Sequence, residues 1–175
     1  MEDTNKAAPN VDARDFRNAL GCYPTGVIIM TGLAEDGERI GLTINSFTSV
    51  SLDPPLVSIC LARTANSFEN LQMSLGFVLN VLRDDQRQIS GVFAKSGKNK
   101  WRGVNYRDGI NGVPILVPNL AAFQCSPYAE HDGGDHIIVI GRVEAVEYDA
   151  GTAPLVFHQG GYSRLLPKDA ADDGV

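Results

Sequence analysis

Two histidines and two aspartates lie within six residues of this sequence, in the string HDGGDH at residues 131–136. Imidazole and carboxylate groups are ligands for zinc or iron, so one interpretation is a metal site. Two glycines flanked by aspartates are also typical of a tight turn between strands. Turn formation explains most of the string, and we expect no metal ion. His136 directly follows the turn, where a strand could direct its ring at a bound molecule.

A second set of polar residues runs through GLTINSFTSVSLDPPLVSICLA, residues 41–62. Alternate residues of a strand share a face, and here neither face is purely polar or purely apolar. A solvated edge strand would explain the hydroxyls, because Thr is a good strand former. A strand that lines a ligand site would explain them equally well, since hydroxyls and backbone N–H groups can bond the rim of a flat heterocycle. The composition of the segment leaves both interpretations open.

Asn66 and Ser67 open a predicted helix at residues 64–74. Asn66 with Glu69 resembles a capping box, and ordinary capping is one explanation of the pair. The other is a phosphate site, because a helix N-terminus offers unpaired N–H groups to anions.

Common nucleotide-binding and catalytic motifs are absent from the sequence. No GxGxxG follows a strand, no Ser stands in GxSxG, and HExxH does not occur. The segment GVFAKSGKN, residues 91–99, differs from a P-loop in the spacing of its glycines. It also has Asn99 where a P-loop has a magnesium-binding Ser or Thr, so we interpret it as a loop.

The elements that would position these residues are mostly strands joined by turns. Six or seven strands are predicted, the clearest at 25–34, 39–47, 56–62, 77–82, 136–148 and 154–165. Short helices are predicted near 12–21, 64–74 and 84–94. This pattern favours a mainly β protein, an antiparallel barrel with a few short peripheral helices, over a doubly wound parallel sheet.

Length and composition restrict the class of protein. The 175 residues suit one domain, which we place at 12–166 between flexible arms at 1–11 and 167–175. A net charge of −6 argues against nucleic acid and anionic membrane surfaces as partners. We expect neither a signal peptide nor a membrane helix. Cys22, Cys60 and Cys125 form no CxxC pair, which favours a cytoplasmic location.

The sequence resembles the flavin reductase-like family, the small reductase components of two-component flavin-dependent monooxygenases. The matching segments occur in family order from about residue 16 to residue 165. They are YPTGV, GLTINSF, SVSLDPPLV, LARTANSFENL, FVLNVL, GVFA, GDH and PLVFHQGGY. The resemblance implies a split β-barrel, antiparallel and Greek-key-like, that binds FMN or FAD and usually forms a homodimer.

The resemblance also implies binding residues, position by position. Those beside the isoalloxazine ring and ribityl chain would be Arg39, Ile40, Gly41, Leu42, Thr43, Asn45, Ser46, Cys60, Leu61 and Ala62. Those near the phosphate or the second helix would be Asn66, Ser67, Val92 and Phe93, with Arg63 as the nearest base to the phosphate. Those facing the nicotinamide would be His136, His158 and Tyr162.

The implied function is reduction of flavin by NADH or NADPH. Hydride transfer between two bound rings needs orientation more than acid–base chemistry. We expect His136 to position the nicotinamide, and the backbone N–H groups of residues 41–46 to stabilise charge on the reduced flavin. A separate oxygenase would then receive the flavin. A flavin-storage protein of the same fold and a metal-dependent enzyme using HDGGDH are the alternatives.

Overall fold

The computed structural model describes residues 11–65, 76–97 and 99–165. In these ranges the two α-helices are α1 (Ala13–Gly21) and α2 (Arg87–Phe93), and the strands run in the following order. They are β1 (Thr25–Gly26), β2 (Ile28–Leu33), β3 (Arg39–Ile44), β4 (Thr48–Leu52), β5 (Pro55–Ala62), β6 (Phe77–Val81), β7 (Tyr106–Asp108), β8 (Pro114–Leu116), β9 (Ala121–Gly133), β10 (His136–Tyr148), β11 (Val156–His158) and β12 (Gly161–Ser163).

Parts of three predictions lie outside the described residues. The helix expected at 64–74 has only its first two positions inside them, and of the two expected arms only Val11 is included. Within the described ranges, neither helix is long and apolar enough to cross a membrane.

All strand pairs in the described structure are antiparallel, as predicted. The largest sheet has the order β3-β2-β6-β9-β10-β5-β4, and smaller sheets are formed by β1-β11-β12 and by β7-β8. Antiparallel neighbours can be joined by short turns. A turn centred on Glu35 and Asp36 joins β2 to β3, and the Gly37 N–H donates to the Ala34 carbonyl (2.9 Å) with Gly37 at a φ of +80°.

The seven-stranded sheet coils into a barrel, because its two edges are joined by a short link. Strand β3 ends at Ile44 and β4 begins at Thr48, so residues 45–47 connect opposite edges of the sheet. The edges of a flat seven-stranded sheet would be about 29 Å apart. The link can span about 14 Å. Ser46 holds the link against β5, since its hydroxyl donates to the Cys60 carbonyl (3.0 Å) and accepts from the Cys60 N–H (2.9 Å).

The barrel interior is filled by alternate side chains of six strands, among them Met30, Ile59, Phe77 and Leu79. A second cluster, with Phe93 and Leu155, lies outside the barrel under α2 and the β11–β12 hairpin. The helices are therefore peripheral, as expected, and α2 is packed against the outer face of β3.

Two predictions about the strands are corrected. The chain at 154–165 was expected to be a single strand with a Gly-Gly interruption, but it is the hairpin β11–β12. Gly160, at a φ of +76°, lies in the turn, which requires a left-handed conformation that glycine adopts without strain. Twelve strands are described instead of six or seven, because the additional ones are only two or three residues long.

Candidate functional site

Strand β3 divides its predicted site residues between two faces. Ile40, Leu42 and Ile44 point into the barrel and pack in its core. Arg39, Gly41 and Thr43 point outward, toward α2 and the segment that contains Trp101. Only the outward set can present side chains to a molecule bound outside the barrel.

Gly41 gives α2 its close approach to β3. A Cβ atom at this position would lie 2.2 Å from the Phe93 ring, closer than any real contact. Phe93 is fully buried and meets Trp101 edge to face, with 5.1 Å between ring centroids. Phe93 therefore holds the helix in place, and its buried ring has no surface left for a ligand.

Two side chains bond the carbonyls on the open edge of β3. Trp101 Nε1 donates to the Arg39 carbonyl (2.8 Å), and Lys100 Nζ donates to the Gly41 carbonyl (3.3 Å). Burial lowers the pKa of Lys100. The backbone groups of Thr43 follow on the same edge, because alternate residues of a strand direct their N–H and C=O groups the same way.

A cavity of about 210 Å³ lies at this end of β3, and we call it the hydroxyl cavity. Its walls include three predicted site residues, Thr43, Asn45 and Tyr162. Ser90 adds a polar group to the walls, and Phe157 adds an aromatic ring. Residues distant in sequence thus meet around one space.

Hydrogen bonds fix the walls of the hydroxyl cavity. The Thr43 hydroxyl donates to the Ser90 carbonyl (2.8 Å), and the Ser90 hydroxyl bonds the Tyr162 hydroxyl (2.9 Å). The Tyr162 ring meets Phe157 edge to face and the Arg87 guanidinium on its face. Strand β3, helix α2 and the β11–β12 hairpin are consequently held in one arrangement.

Two larger cavities with basic walls adjoin this space, and we call them together the basic cavities. One, of about 780 Å³, is lined by Arg87, Val92 and Tyr162, and the other, of about 500 Å³, by residues of β3 and by Ala65. Lys95 and Lys100 line both. Tyr162 separates the hydroxyl cavity from the larger basic cavity.

The predicted site residues on β5 are connected to the hydroxyl cavity through the link at 45–47. Ser46 bonds Cys60, and Ala62 lies two residues farther along β5, about 7 Å away. Ala62 is paired with His136 across the sheet. Leu61 points into the core and is buried, so only Cys60 and Ala62 share the outer face with His136.

The string HDGGDH forms the turn between β9 and β10, as interpreted from its glycines. Gly134 and Asp135 are the two turn residues, and Gly134 has a φ of +79°. The His136 Nδ1 atom lies 2.7 Å from Asp135 Oδ1, and this hydrogen bond lowers the pKa of the Asp135 carboxyl. No three His, Cys, Asp or Glu side chains are grouped to hold a metal ion in the described part of the chain.

Seven predicted residues within the described ranges line none of these three cavities: Ser46, Cys60, Leu61, Ala62, Phe93, His136 and His158. His158 neighbours Phe157 on β11, so its side chain lies on the opposite face of that strand. Asn66 and Ser67 lie outside the described residues. Ala65, directly before them, lines the smaller basic cavity.

Sequence reasoning missed Ser90 and Lys100 as parts of the site. Ser90 and Lys100 carried no motif, and only the packing of α2 against β3 brings them to the cavities. Arg63 was noted as a base near a phosphate, but its Nε donates to the Gly134 carbonyl (2.9 Å) and its Nη2 bonds Asp132.

Comparison with known proteins agrees with this geometry. The model of the family described as flavin reductase like domain matches residues 20–166. The chain belongs to the flavin reductase-like family. It is 38% identical to a flavin reductase from Pseudomonas putida, over 87% of this chain and 89% of that protein. It is 37% identical to the reductase subunit HsaB of a flavin-dependent monooxygenase from Rhodococcus jostii, over 92% and 82% of the two chains.

A solved structure gives the same result for the fold. NADH:FAD oxidoreductase SgcE6 from Streptomyces globisporus superposes with a TM-score of 0.84 at 32% identity, covering 92% of this chain and 99% of that one. Some relatives are longer. The chain spans 48% of a probable flavin reductase and 65% of a demethylase reductase subunit, both from Rhizobium meliloti.

These similarities confirm the predicted family, the antiparallel β fold, and an oxidoreductase class that uses flavin and reduced nicotinamide. The described residues also fit a flavin. The hydroxyl cavity combines hydroxyl, amide and aromatic groups, which suit a flat heterocycle with a polar rim. The basic cavities offer ammonium groups to phosphate.

Proposed function

We propose that this chain transfers a hydride from NADH or NADPH to FMN or FAD at the hydroxyl cavity and releases the reduced flavin to a separate oxygenase. The observation that carries the proposal is the meeting of Thr43, Asn45 and Tyr162 around one cavity beside Lys95 and Lys100. Rings would lie against the first three residues, and phosphates would reach the lysines.

The bound flavin supplies the redox chemistry, as acceptor of the hydride. The chain contributes orientation and charge stabilisation. Backbone groups of Thr43 on the open edge of β3, and the Asn45 amide beside them, would bond the polar rim of the ring. Preorganised donors of this kind stabilise developing negative charge without reorganisation. Ser46 is used differently, because its hydroxyl is committed to Cys60.

His136 would position the nicotinamide. Its Nδ1 is bonded to Asp135, which leaves Nε2 as the nitrogen able to bond a carboxamide. The ring is about half exposed, so a bound molecule can reach it. Holding the two rings in register is the main contribution a protein can make to this reaction.

We also propose a homodimer in the cytoplasm. Leu52 is 95% exposed and Val50 is 49% exposed, both on edge strand β4. Exposed apolar groups on an unpaired edge are suited to contact with a second copy. The three cysteines are free thiols, which agrees with a reducing compartment. Sedimentation equilibrium gives the mass of the particle, and a monomer at micromolar concentration would contradict the dimer.

An anaerobic titration tests the function. NADH added to protein and flavin should bleach the flavin absorbance with many turnovers, and wild-type protein passed through a desalting column should lose its flavin. The absence of bleaching with either nicotinamide and either flavin would contradict the reductase. A flavin that binds but is not reduced would support the storage protein instead.

The variants Asn45→Ala and His136→Ala separate the two binding roles. Asn45→Ala should weaken flavin binding, measured by fluorescence quenching. His136→Ala should raise KM for NADH and leave the flavin Kd unchanged. His158→Ala is the matched control, since His158 lies on the face of β11 opposite Phe157.

A further inference from the structure

Arg63 holds the turn that carries His136 at three points. Its backbone N–H donates to the Asp135 carbonyl (3.0 Å), and its Nε donates to the Gly134 carbonyl (2.9 Å). Its Nη2 bonds the Asp132 carboxylate on the other side of the turn. One residue therefore bonds both arms of the β9–β10 turn.

The position of Arg63 in the chain makes these bonds direct. It follows Ala62, the last residue of β5, and Ala62 is paired with His136. The guanidinium is planar and rigid, so it can fix the orientation of the carbonyl and the carboxylate it bonds. Asp135 in turn bonds His136 Nδ1. The Arg63 guanidinium thus holds Gly134 and Asp132, and the adjoining Asp135 holds the His136 ring.

Global stability does not explain this arrangement. The Arg63 and Asp132 side chains are 44% and 79% exposed. Ion pairs this exposed contribute little to folding. A fixed orientation of the turn is what the three bonds provide. Without the two side-chain bonds, the turn would be held by its own two strands and by the pairing of β10 with β5.

We propose that Arg63 is a positioning residue, which holds the β9–β10 turn so that His136 Nε2 stays directed at the bound nicotinamide. The proposal rests on the proposed function of His136. The proposal assigns the Nε and Nη2 groups of Arg63 to the turn. The phosphate role is left to Lys95 and Lys100.

A double-mutant cycle tests the proposal. Arg63→Ala, His136→Ala and the double variant are compared with wild type for kcat and for KM of NADH at saturating flavin. Arg63→Ala should raise KM for NADH about tenfold with the flavin Kd unchanged, because small misplacements of a positioning group are costly. In the His136→Ala background the same change should have no further effect. Arg63→Lys should restore only part of the affinity, since an ammonium cannot bond both arms.

Arg107→Ala is the matched control. Arg107, on β7, forms a comparable half-exposed ion pair with Glu147, at the end of β10 away from His136, and its loss should leave both KM and flavin Kd unchanged. Hydrogen exchange of the amides at 134–136 measures how firmly the β9–β10 turn is held and needs no turnover. The exchange should accelerate in Arg63→Ala but not in Arg107→Ala.

The outcomes separate the two proposals. If Arg63→Ala raises KM for NADH equally in the wild-type and His136→Ala backgrounds, the positioning role is overturned. Unchanged hydrogen exchange of the turn amides in Arg63→Ala would overturn it too. A raised flavin Kd in Arg63→Ala would make Arg63 a phosphate ligand and overturn it as well. If wild type reduces flavin but His136→Ala behaves as wild type, the positioning proposal fails and the reductase stands. If wild type reduces no flavin, the proposed function fails, and with it the nicotinamide role of Arg63.

Discussion

Replacing Gly41 with Ala should disrupt the site by forcing α2 away from β3. The new Cβ would be 2.2 Å from Phe93 Cε1 and 2.5 Å from Cδ1, whereas ordinary contacts begin at 3.4 Å. The ring must therefore move by about 1.2 Å. Phe93 is fully buried against Trp101 and cannot rotate into free space. Overpacking of this kind costs about 1–3 kcal/mol of unfolding free energy.

The same displacement should reach the hydroxyl cavity. Helix α2 carries Ser90, whose carbonyl and hydroxyl bond Thr43 and Tyr162. If the helix moves, those two bonds lengthen, and flavin affinity should fall together with stability. Urea unfolding measures the first quantity and quenching of flavin fluorescence measures the second.

Gly91→Ala is the matched control on the same helix. A Cβ at Gly91 has no atom within 4 Å, so the helix should gain about 0.5–1 kcal/mol from alanine's higher propensity. Phe93→Leu should suppress the effect of Gly41→Ala, because the smaller side chain removes the clash. The reasoning is refuted if Gly41→Ala unfolds at the wild-type urea concentration. Additive costs of Gly41→Ala and Phe93→Leu would refute it as well.

Three further changes probe the barrel. Asn80→Ala should cost about 3 kcal/mol in urea unfolding, since the buried amide bonds Leu116 N–H and two groups on β2, and a cost under about 1 kcal/mol would contradict this. Ser46→Ala should lose about 1–2 kcal/mol of unfolding free energy, because both bonds to Cys60 are removed, and the free energy of flavin binding should fall by less than this. A loss of binding free energy larger than the loss of stability would show that Ser46 contacts the flavin directly. Burial, with the charge of Glu144 adding to it, raises the pKa of the Cys125 thiol from 9.0 to about 12. The thiol therefore ionises first in the unfolded state, and the free energy of unfolding should fall by up to about 1.4 kcal/mol per pH unit between pH 9 and 12. A Cys125→Ala variant whose stability falls equally steeply with pH in that range would refute the assignment.

The fold was predictable where local patterns are strong. Strands β2, β3 and β10 have long apolar or alternating runs bounded by turn residues. The helix predicted near 12–21 is present as α1, which Asp12 caps through its bonds to Arg14 N–H and Asp15 N–H. The hairpin at Gly160 was missed, because two adjacent glycines fit an irregular strand as well as a turn. The shortest strands carry too few residues to show any periodicity.

The site was predictable only in part, because its parts meet through tertiary packing. Thr43, Asn45 and Tyr162 came from the resemblance to the family, and they do line one cavity. The burial of Phe93 could not be predicted, since nothing in the sequence shows that Gly41 leaves room for its ring. The hydrogen bonds of the Ser46 hydroxyl to Cys60 could not be predicted either, because a hydroxyl on a polar strand can bond a ligand or the backbone equally well.

The link at residues 45–47 makes flavin binding a property of the whole barrel. Asn45 is presented to the hydroxyl cavity only when the two edges of the sheet have met, and Tyr162 reaches it only after the last hairpin has docked. No fragment of the fold contains the complete site. A ligand that binds the native state alone stabilises it by mass action. Flavin above its Kd would therefore raise the free energy of unfolding, and the occupied protein would resist unfolding and proteolysis for longer.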